Sequence, residues 1–138
     1  MFSYITLGTN DPPRAVAFYD AVLAALGLQR CATPGEDDWQ DWAGWGTYAA
    51  QGAQELALWV CKPFNGKPAS TGNGAMVAFR ASNWAAVQGF HAAAVRCGGA
   101  SEGEPGLRPQ YNEDFYAAYV RDPDGNELAA VCRGFTRK

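Results

Sequence analysis

Two stretches of this chain, about 71 residues apart, carry the same order of strand and helix signals, and a chain patterned in this way is constrained to fold as two similar modules. Shifting the sequence by 71 sets Ala15-Val16 on Ala86-Val87, Tyr19 on Phe90, Ala21 on Ala92, Gly27 on Gly98 and Val60-Cys61 on Val131-Cys132. A shift of 72 sets Glu55-Leu56-Ala57 on Glu127-Leu128-Ala129. The match recurs at both ends of the unit, which separates it from a chance likeness of two alanine-rich helices.

Each unit reads β-α-β-β-β. Residues 2–8 alternate, with Ser3, Ile5 and Leu7 on one face and Tyr4 and Thr6 on the other, the period of a strand. A helix over 12–26 follows, with Asn10 or Asp11 as its cap, Pro12 in its first turn, Ala15, Phe18, Tyr19, Val22 and Leu26 at helical spacing, and Gly27 as its stop. Three short strands are expected over 28–32, 46–50 and 55–61, separated by Gly35, Gly44 and Gly52. After a Pro/Gly/Asn-rich connection the order restarts with a strand over 75–80, a Ser82 cap and a helix over 83–97 ended by Gly98-Gly99. Strands over 115–121 and 127–133 flank Asp122-Pro123-Asp124-Gly125, where proline's fixed φ and glycine's positive φ suit a tight turn. The expected organisation is one domain, with module one at about 1–62, a connection at 63–73 and module two at about 74–134.

At 138 residues, 48% hydrophobic and 18% charged, the chain has a core for one globular domain and not for two independent ones. A net charge of -3 and the lack of a phosphate-binding loop give no reason to expect nucleic acid as a partner. No apolar run reaches the length of a membrane span and no signal peptide opens the sequence, so no membrane partner and a cytoplasmic location are expected. Cys31, Cys61, Cys97 and Cys132 are 30 or more residues apart and read as reduced, mostly buried small hydrophobes.

The chain resembles the glyoxalase, bleomycin-resistance and extradiol-dioxygenase superfamily, the vicinal-oxygen-chelate group, and within it one glyoxalase-like bacterial branch. The resemblance is carried by Arg14-Ala15 with Phe18-Tyr19, Gly72-Asn73-Gly74 before Val77-Ala78-Phe79, and Phe90-His91-Ala92-Ala93-Ala94. It continues through Pro105-Gly106-Leu107-Arg108-Pro109 with Tyr111, and Tyr116-Ala117-Ala118-Tyr119-Val120 running into Asp122-Pro123-Asp124-Gly125-Asn126. It implies an α+β fold of two βαβββ modules with pseudo-twofold symmetry, forming a cupped, half-barrel-like pair of sheets with helices outside. It also implies a divalent metal at the floor of the cup, held by histidine and carboxylate and acting as a Lewis acid. At the positions the resemblance assigns to ligands, this chain has Tyr4, Met76, Ala129 and, on the fourth strand, Ala57 or Leu58; near Arg108-Pro109, where branch members often carry histidines, it has Gln110 and Asn112. His91 is the only histidine, so a site with two histidine ligands cannot form within one subunit. An oxygen-only site from Glu55, Glu127 or Asp41 is the remaining route to a metal. No metal and no cofactor are expected.

Alternation within strands should turn Tyr4 and Thr6, Met76 and Ala78, and Glu127 and Ala129 into the cup, with Ile5, Val77 and Leu128 toward the helices. A phenol, a thioether and a methyl would then stand where relatives hold a metal, a floor suited to an apolar or aromatic ligand, with Arg108, Tyr111, Tyr116 or Tyr119 orienting it at the rim. Arg108 either pairs with an anionic ligand or ties down its Pro-rich loop. Glu127 is either a replacement acid in the cup, the one catalytic candidate, or a solvated hairpin-end carboxylate. His91 is read as lying at the solvent edge of its helix. Trp39, Trp42 and Trp45 with Tyr48 wall a pocket, cover an interface or pack the core, with pocket or interface preferred. Two functions stay open: a metal-free binder of a small apolar or aromatic molecule, and a lyase, isomerase or dioxygenase-type enzyme with an atypical metal or an acid-base pair. A homodimer is expected, since many relatives pair modules across subunits.

Overall fold

Apolar residues on alternate positions of each strand, and at helical spacing between strands, decide which face of every element is buried. The computed structural model describes residues 1–33 and 41–137. Module one comprises β1 (Tyr4–Gly8), α1 (Pro12–Ala24), β2 (Trp42–Ala49), a short 3-10 turn (Ala50–Gly52) and β3 (Gln54–Cys61). Module two comprises β4 (Met76–Arg80), α2 (Trp84–Arg96), β5 (Ala100–Leu107), β6 (Tyr116–Arg121) and β7 (Glu127–Cys132). The strands form two sheets, ordered β1-β3-β2 and β4-β7-β6-β5. In each, the first strand of the module pairs in parallel with the last, and the remaining pairs are antiparallel. This is the α+β, two-module fold that the repeat implies, and each helix packs on its own sheet. Among the described residues no helix is long and apolar enough to cross a membrane.

Both modules share one core. Phe18, Tyr19, Val22 and Leu23 of α1 and Val87, Phe90 and Ala94 of α2 join Trp45, Leu58, Val60, Val120 and Leu128 in a single buried cluster. The helices also pack on each other, while no Cα atom of one sheet comes within 8 Å of a Cα atom of the other. Asp11, not Asn10, caps α1 by accepting from Arg14 N at 3.1 Å, and Asn83, not Ser82, caps α2 by accepting from Ala86 N at 2.7 Å. Gly27 and Gly98, at φ 76° and 95°, close the helices where the sequence places a stop.

One expected strand is reduced to a fragment. Over residues 28–32 only Arg30 forms a bridge, to Trp45, supported by Cys31 N donating to Gly44 O and Gly46 N to Gln29 O. Leu28 and Cys31 are its only large apolar side chains and are three apart, so they cannot line one strand face. Among the described residues module one therefore has three strands and module two has four. The strand expected over 46–50 instead begins at Trp42 and runs through Gly44, which the sequence offers as a separator. Gly46 sits at φ 119°, where an added Cβ would fall 2.5 Å from Leu56 O, so glycine is what lets this strand pair.

The tight turn between β6 and β7 locks the modules together. Gly125 N donates to Asp122 O at 2.9 Å with Gly125 at φ 92°. Asp122 Oδ1 accepts from the backbone N of Asp124 and of Asn126, and its Oδ2 from the Tyr19 hydroxyl of α1 at 2.6 Å. Asn126 Nδ2 donates both to Asp122 Oδ2 and to Gly8 O at the end of β1. Asp124 accepts from Thr9 Oγ1, Asn10 N and Arg14 Nη2. Burial first, and then the Asp122 carboxylate, hold the Tyr19 phenol well above its usual pKa, so it stays protonated and donating.

Replacing Tyr19 by Phe removes a buried hydrogen bond to a carboxylate and should lower unfolding free energy by about 1.5–3 kcal/mol in urea titration. A raised folded-state pKa in an acid means stability that is complete below the unfolded value near 10 and is lost as pH rises through the folded value. The alkaline loss of stability should accordingly be smaller in Tyr19→Phe than in the parent.

Candidate functional site

The face of each sheet turned away from its helix, the cup face, collects the residues left over from the core. On β1, Ile5 and Leu7 pack into the core, so Tyr4 and Thr6 point the other way; on β3, Leu58 and Val60 are core, so Ala57, Trp59 and Cys61 share the face of Tyr4. Tyr4 stands opposite Ala57 and Thr6 opposite Trp59. The fourth-strand position left open between Ala57 and Leu58 thus falls on Ala57.

Trp59 dominates the cup face of module one. Trp42 and Tyr48 meet its ring edge to face, at centroid separations of 6.5 and 5.4 Å, and its Nε1 donates to Glu55 Oε1 at 2.7 Å. The ring lies over Gly44, where an added Cβ would come within 2.4 Å of it. Trp45 points to the opposite face, is 1% exposed, and donates Nε1 to Asp20 Oδ1 at 2.9 Å. The tryptophan-rich segment is therefore divided between core and cup face; Trp39 lies outside the described residues.

On module two, Met76 stands opposite Glu127, Ala78 opposite Ala129, Ala129 opposite Tyr119 and Val131 opposite Ala117. Met76, Ala78, Glu127 and Ala129 are thus brought together as expected. Glu127 lies 3.7 Å from Arg121 Nη2, and Arg121 Nε also bonds Glu102 at 2.8 Å, so this carboxylate is neither alone nor simply solvated. Arg108 does tie down its loop: Nη1 donates to Gly106 O and Nη2 to Glu104 O, with the guanidinium 5.5 Å from the centre of the Tyr119 ring. Tyr111 is exposed beside Phe115. Burial, then the Tyr111 charge, raise the Tyr119 phenol against the lowering by Arg108, with Glu127 adding a smaller raise.

Two expectations are corrected. Tyr116 is not on the cup face: it shares the helix side with Ala118 and Val120, is stacked under Trp84 at 4.2 Å, and accepts from Gln88 Nε2. Its register position, opposite Cys132 and one step out of phase with Ala117 and Tyr119, is the reason. His91 is not at a solvent edge: it is buried between α2 and β5, with Nε2 2.8 Å from Ser101 Oγ. Tyr4 and Thr6 also remain apart from the module-two residues, since the backbones of the two sheets nowhere approach within 8 Å, Cα to Cα, in one chain. Two hollows lie elsewhere, one of ≈ 350 Å³ between α1 and β2, lined by Pro12, Val16, Trp42 and Trp45, and one beside Lys62 and Lys67. Among the described residues no group of three or more His, Cys, Asp or Glu side chains is placed to hold a metal.

Residues 2–130 match the family model of the Glyoxalase/Bleomycin resistance protein/Dioxygenase superfamily. The chain belongs to this superfamily. Among solved structures, a glyoxalase/bleomycin resistance protein from Albidiferax ferrireducens T118 is 33% identical with a TM-score of 0.80, over 96% of this chain and 98% of that one. A glyoxalase/bleomycin resistance protein/dioxygenase family enzyme from Burkholderia phytofirmans PsJN is 17% identical (TM-score 0.65, 95% and 97% covered). A lactoylglutathione lyase from Agrobacterium tumefaciens is 21% identical (TM-score 0.59, 96% and 92% covered). These last two share the fold. A comparison with curated proteins gave no match.

Gly44→Ala should force the Trp59 ring off its seat, red-shifting tryptophan emission and lowering stability by about 1–3 kcal/mol. The same change in a Trp59→Phe background should leave the emission unshifted.

Proposed function

We propose that this member of the superfamily is a cytoplasmic small-molecule-binding protein that works without a metal and receives an apolar or aromatic ligand on its cup faces. The observation that carries the reading is the set of side chains at the positions the family uses for a metal. Tyr4 and Ala57 face the cup in module one, and Met76 and Ala129 in module two. Two of the four have no donor atom, one is a thioether and one a phenol, a set that does not fit a hard or borderline divalent ion. The chain's single histidine is bonded to Ser101 beneath α2 and cannot substitute. Free cysteines at 31, 61, 97 and 132 suit a reducing compartment.

The rival reading, an enzyme using Glu127 with a tyrosine as acid-base pair, has Glu127 and Tyr119 as neighbours in its favour. Against it, the carboxylate already faces the Arg121 guanidinium at 3.7 Å.

A homodimer belongs to the reading. Tyr4 is 57% and Met76 46% exposed, and the two cup faces of one chain do not meet, so a second copy is what would close a cup over a ligand. Sedimentation should give about 30 kDa, twice 14.8 kDa, at micromolar concentration; a monomer would remove the closed cup. Planar aromatic compounds should quench tryptophan emission equally with and without a chelator. Folded Met76→Asp, which sets a second carboxylate opposite Glu127, should bind at least ~5-fold more weakly, the lower end of about 1–3 kcal/mol for an unpaired carboxylate. Unchanged affinity there would put the ligand elsewhere.

A further inference from the structure

The chain holds two Asn-Gly pairs, Asn65-Gly66 and Asn73-Gly74, both in the segment between β3 and β4. All four residues are exposed, so water reaches both pairs. An Asn-Gly pair is open to one reaction of its own, in which the backbone nitrogen after the asparagine attacks the carbon of that asparagine's carboxamide. Glycine opposes this least, because it has no Cβ to crowd the ring that forms and turns freely in φ and ψ. What then sets the rate is whether the attacking nitrogen and the carboxamide are free to meet.

The two pairs differ in that respect. At the first, Gly66 N donates to Pro63 O at 3.0 Å, and Asn65 Oδ1 accepts from Lys67 N at 3.0 Å. The nucleophile is turned into its own tight turn and the carboxamide is pinned past it, so both bonds must break before Gly66 N meets Asn65 Cγ. At the second, neither Gly74 N nor the Asn73 side chain has a hydrogen bond to any described residue. This turn closes through its outer residues instead, Ala75 N donating to Gly72 O at 3.2 Å, the long end of the range. Gly74 holds φ 92° at the third position, as a type II turn requires, and its own N–H takes no part in the closure.

We infer that Asn73 is a site of spontaneous covalent modification, deamidation through a cyclic imide, and that Asn65 is protected from the same reaction by its hydrogen bonds. Gly74 N gives its proton to hydroxide and forms a bond to Asn73 Cγ; the Cγ–Nδ2 bond breaks, and Nδ2 leaves as ammonia with a proton from water. Water then opens the imide at either carbonyl carbon. Opening at Cγ leaves an aspartyl residue at 73, whereas opening at the main-chain carbon leaves an isoaspartyl linkage, with the chain running through Cβ and Cγ and one atom longer. Either product exchanges NH2 for OH and, once ionised, adds one negative charge to the formal -3. The longer form places its extra atom in the turn that leads into β4 and Met76. The inference is independent of what the cup faces bind.

The test is incubation of the whole folded chain in mildly alkaline buffer made with heavy-oxygen water, then digestion at acid pH in ordinary water and mass spectrometry of the peptides covering each pair. Heavy oxygen marks only the conversions that took place during incubation. The expected result is label at 73, in aspartyl and isoaspartyl forms, accumulating at least ~5-fold faster than at 65, a factor within what two hydrogen bonds contribute. In urea the two rates should converge, because unfolding frees Gly66 N and the Asn65 carboxamide. Equal labelling of the two pairs in the folded protein, faster labelling at 65, or no label at 73 overturns the inference. A difference that persists undiminished in urea overturns it as well, since sequence neighbours and not hydrogen bonds would then set the rates.

Discussion

The two modules are held in register by the carboxylates of one five-residue turn. Asp122 is 4% exposed and would be a large desolvation cost if unpaired, yet both its oxygens accept hydrogen bonds, from the turn's own backbone, from Asn126 and from the Tyr19 hydroxyl across the module boundary. Asp124 closes the other side on Thr9, itself fully buried, and on the start of α1. A turn that only reverses a chain needs its proline and glycine. This one also needs both acids and Asn126, because they fix where α1 and the end of β1 sit relative to β6 and β7. With the helices packed between the modules and this turn as the clasp, both cup faces are left turned away from the shared core.

The architecture was legible because its determinants are local. Apolar spacing along α1 and α2, caps in front of each, glycines behind each, and alternation along β1, β4 and β7 all act within a few residues, and the repeat supplied the order of elements. What was missed depends on partners distant in sequence. Gly44 looks like a breaker until Trp59 is laid on it. Residues 28–32 look like a strand until the edge of β2 is seen to bind only a fragment of them.

The site was legible to the extent that strand period reaches. Tyr4, Thr6, Met76, Ala78, Glu127 and Ala129 followed from alternation and share the expected faces. Tyr116 failed by one step of that same alternation: Ala117 and Tyr119 hold the cup phase, and counting back from Tyr119 would have excluded it. Trp59 was reachable by the same count, since it lies two residues beyond Ala57 on the strand paired with β1. The ion pairs of Arg121 and the pairing of His91 with Ser101 had no such signal, because each joins elements whose register is set only by the folded sheet.

The repeat has diverged most on its cup faces, and in opposite senses. Module one builds its face upward, laying an indole on a glycine and bracing it with a second tryptophan and a tyrosine. Module two carries alanines at 78, 117 and 129 on this face, with Tyr119 standing beside Ala129 on the inner strand β6 and Met76 and Arg80 on the edge strand β4, and Ala117 and Ala129 are fully buried. The symmetric part of the repeat, the helices and the strand faces beneath them, is retained where it packs the core, which is why the divergence is confined to the faces the core does not use.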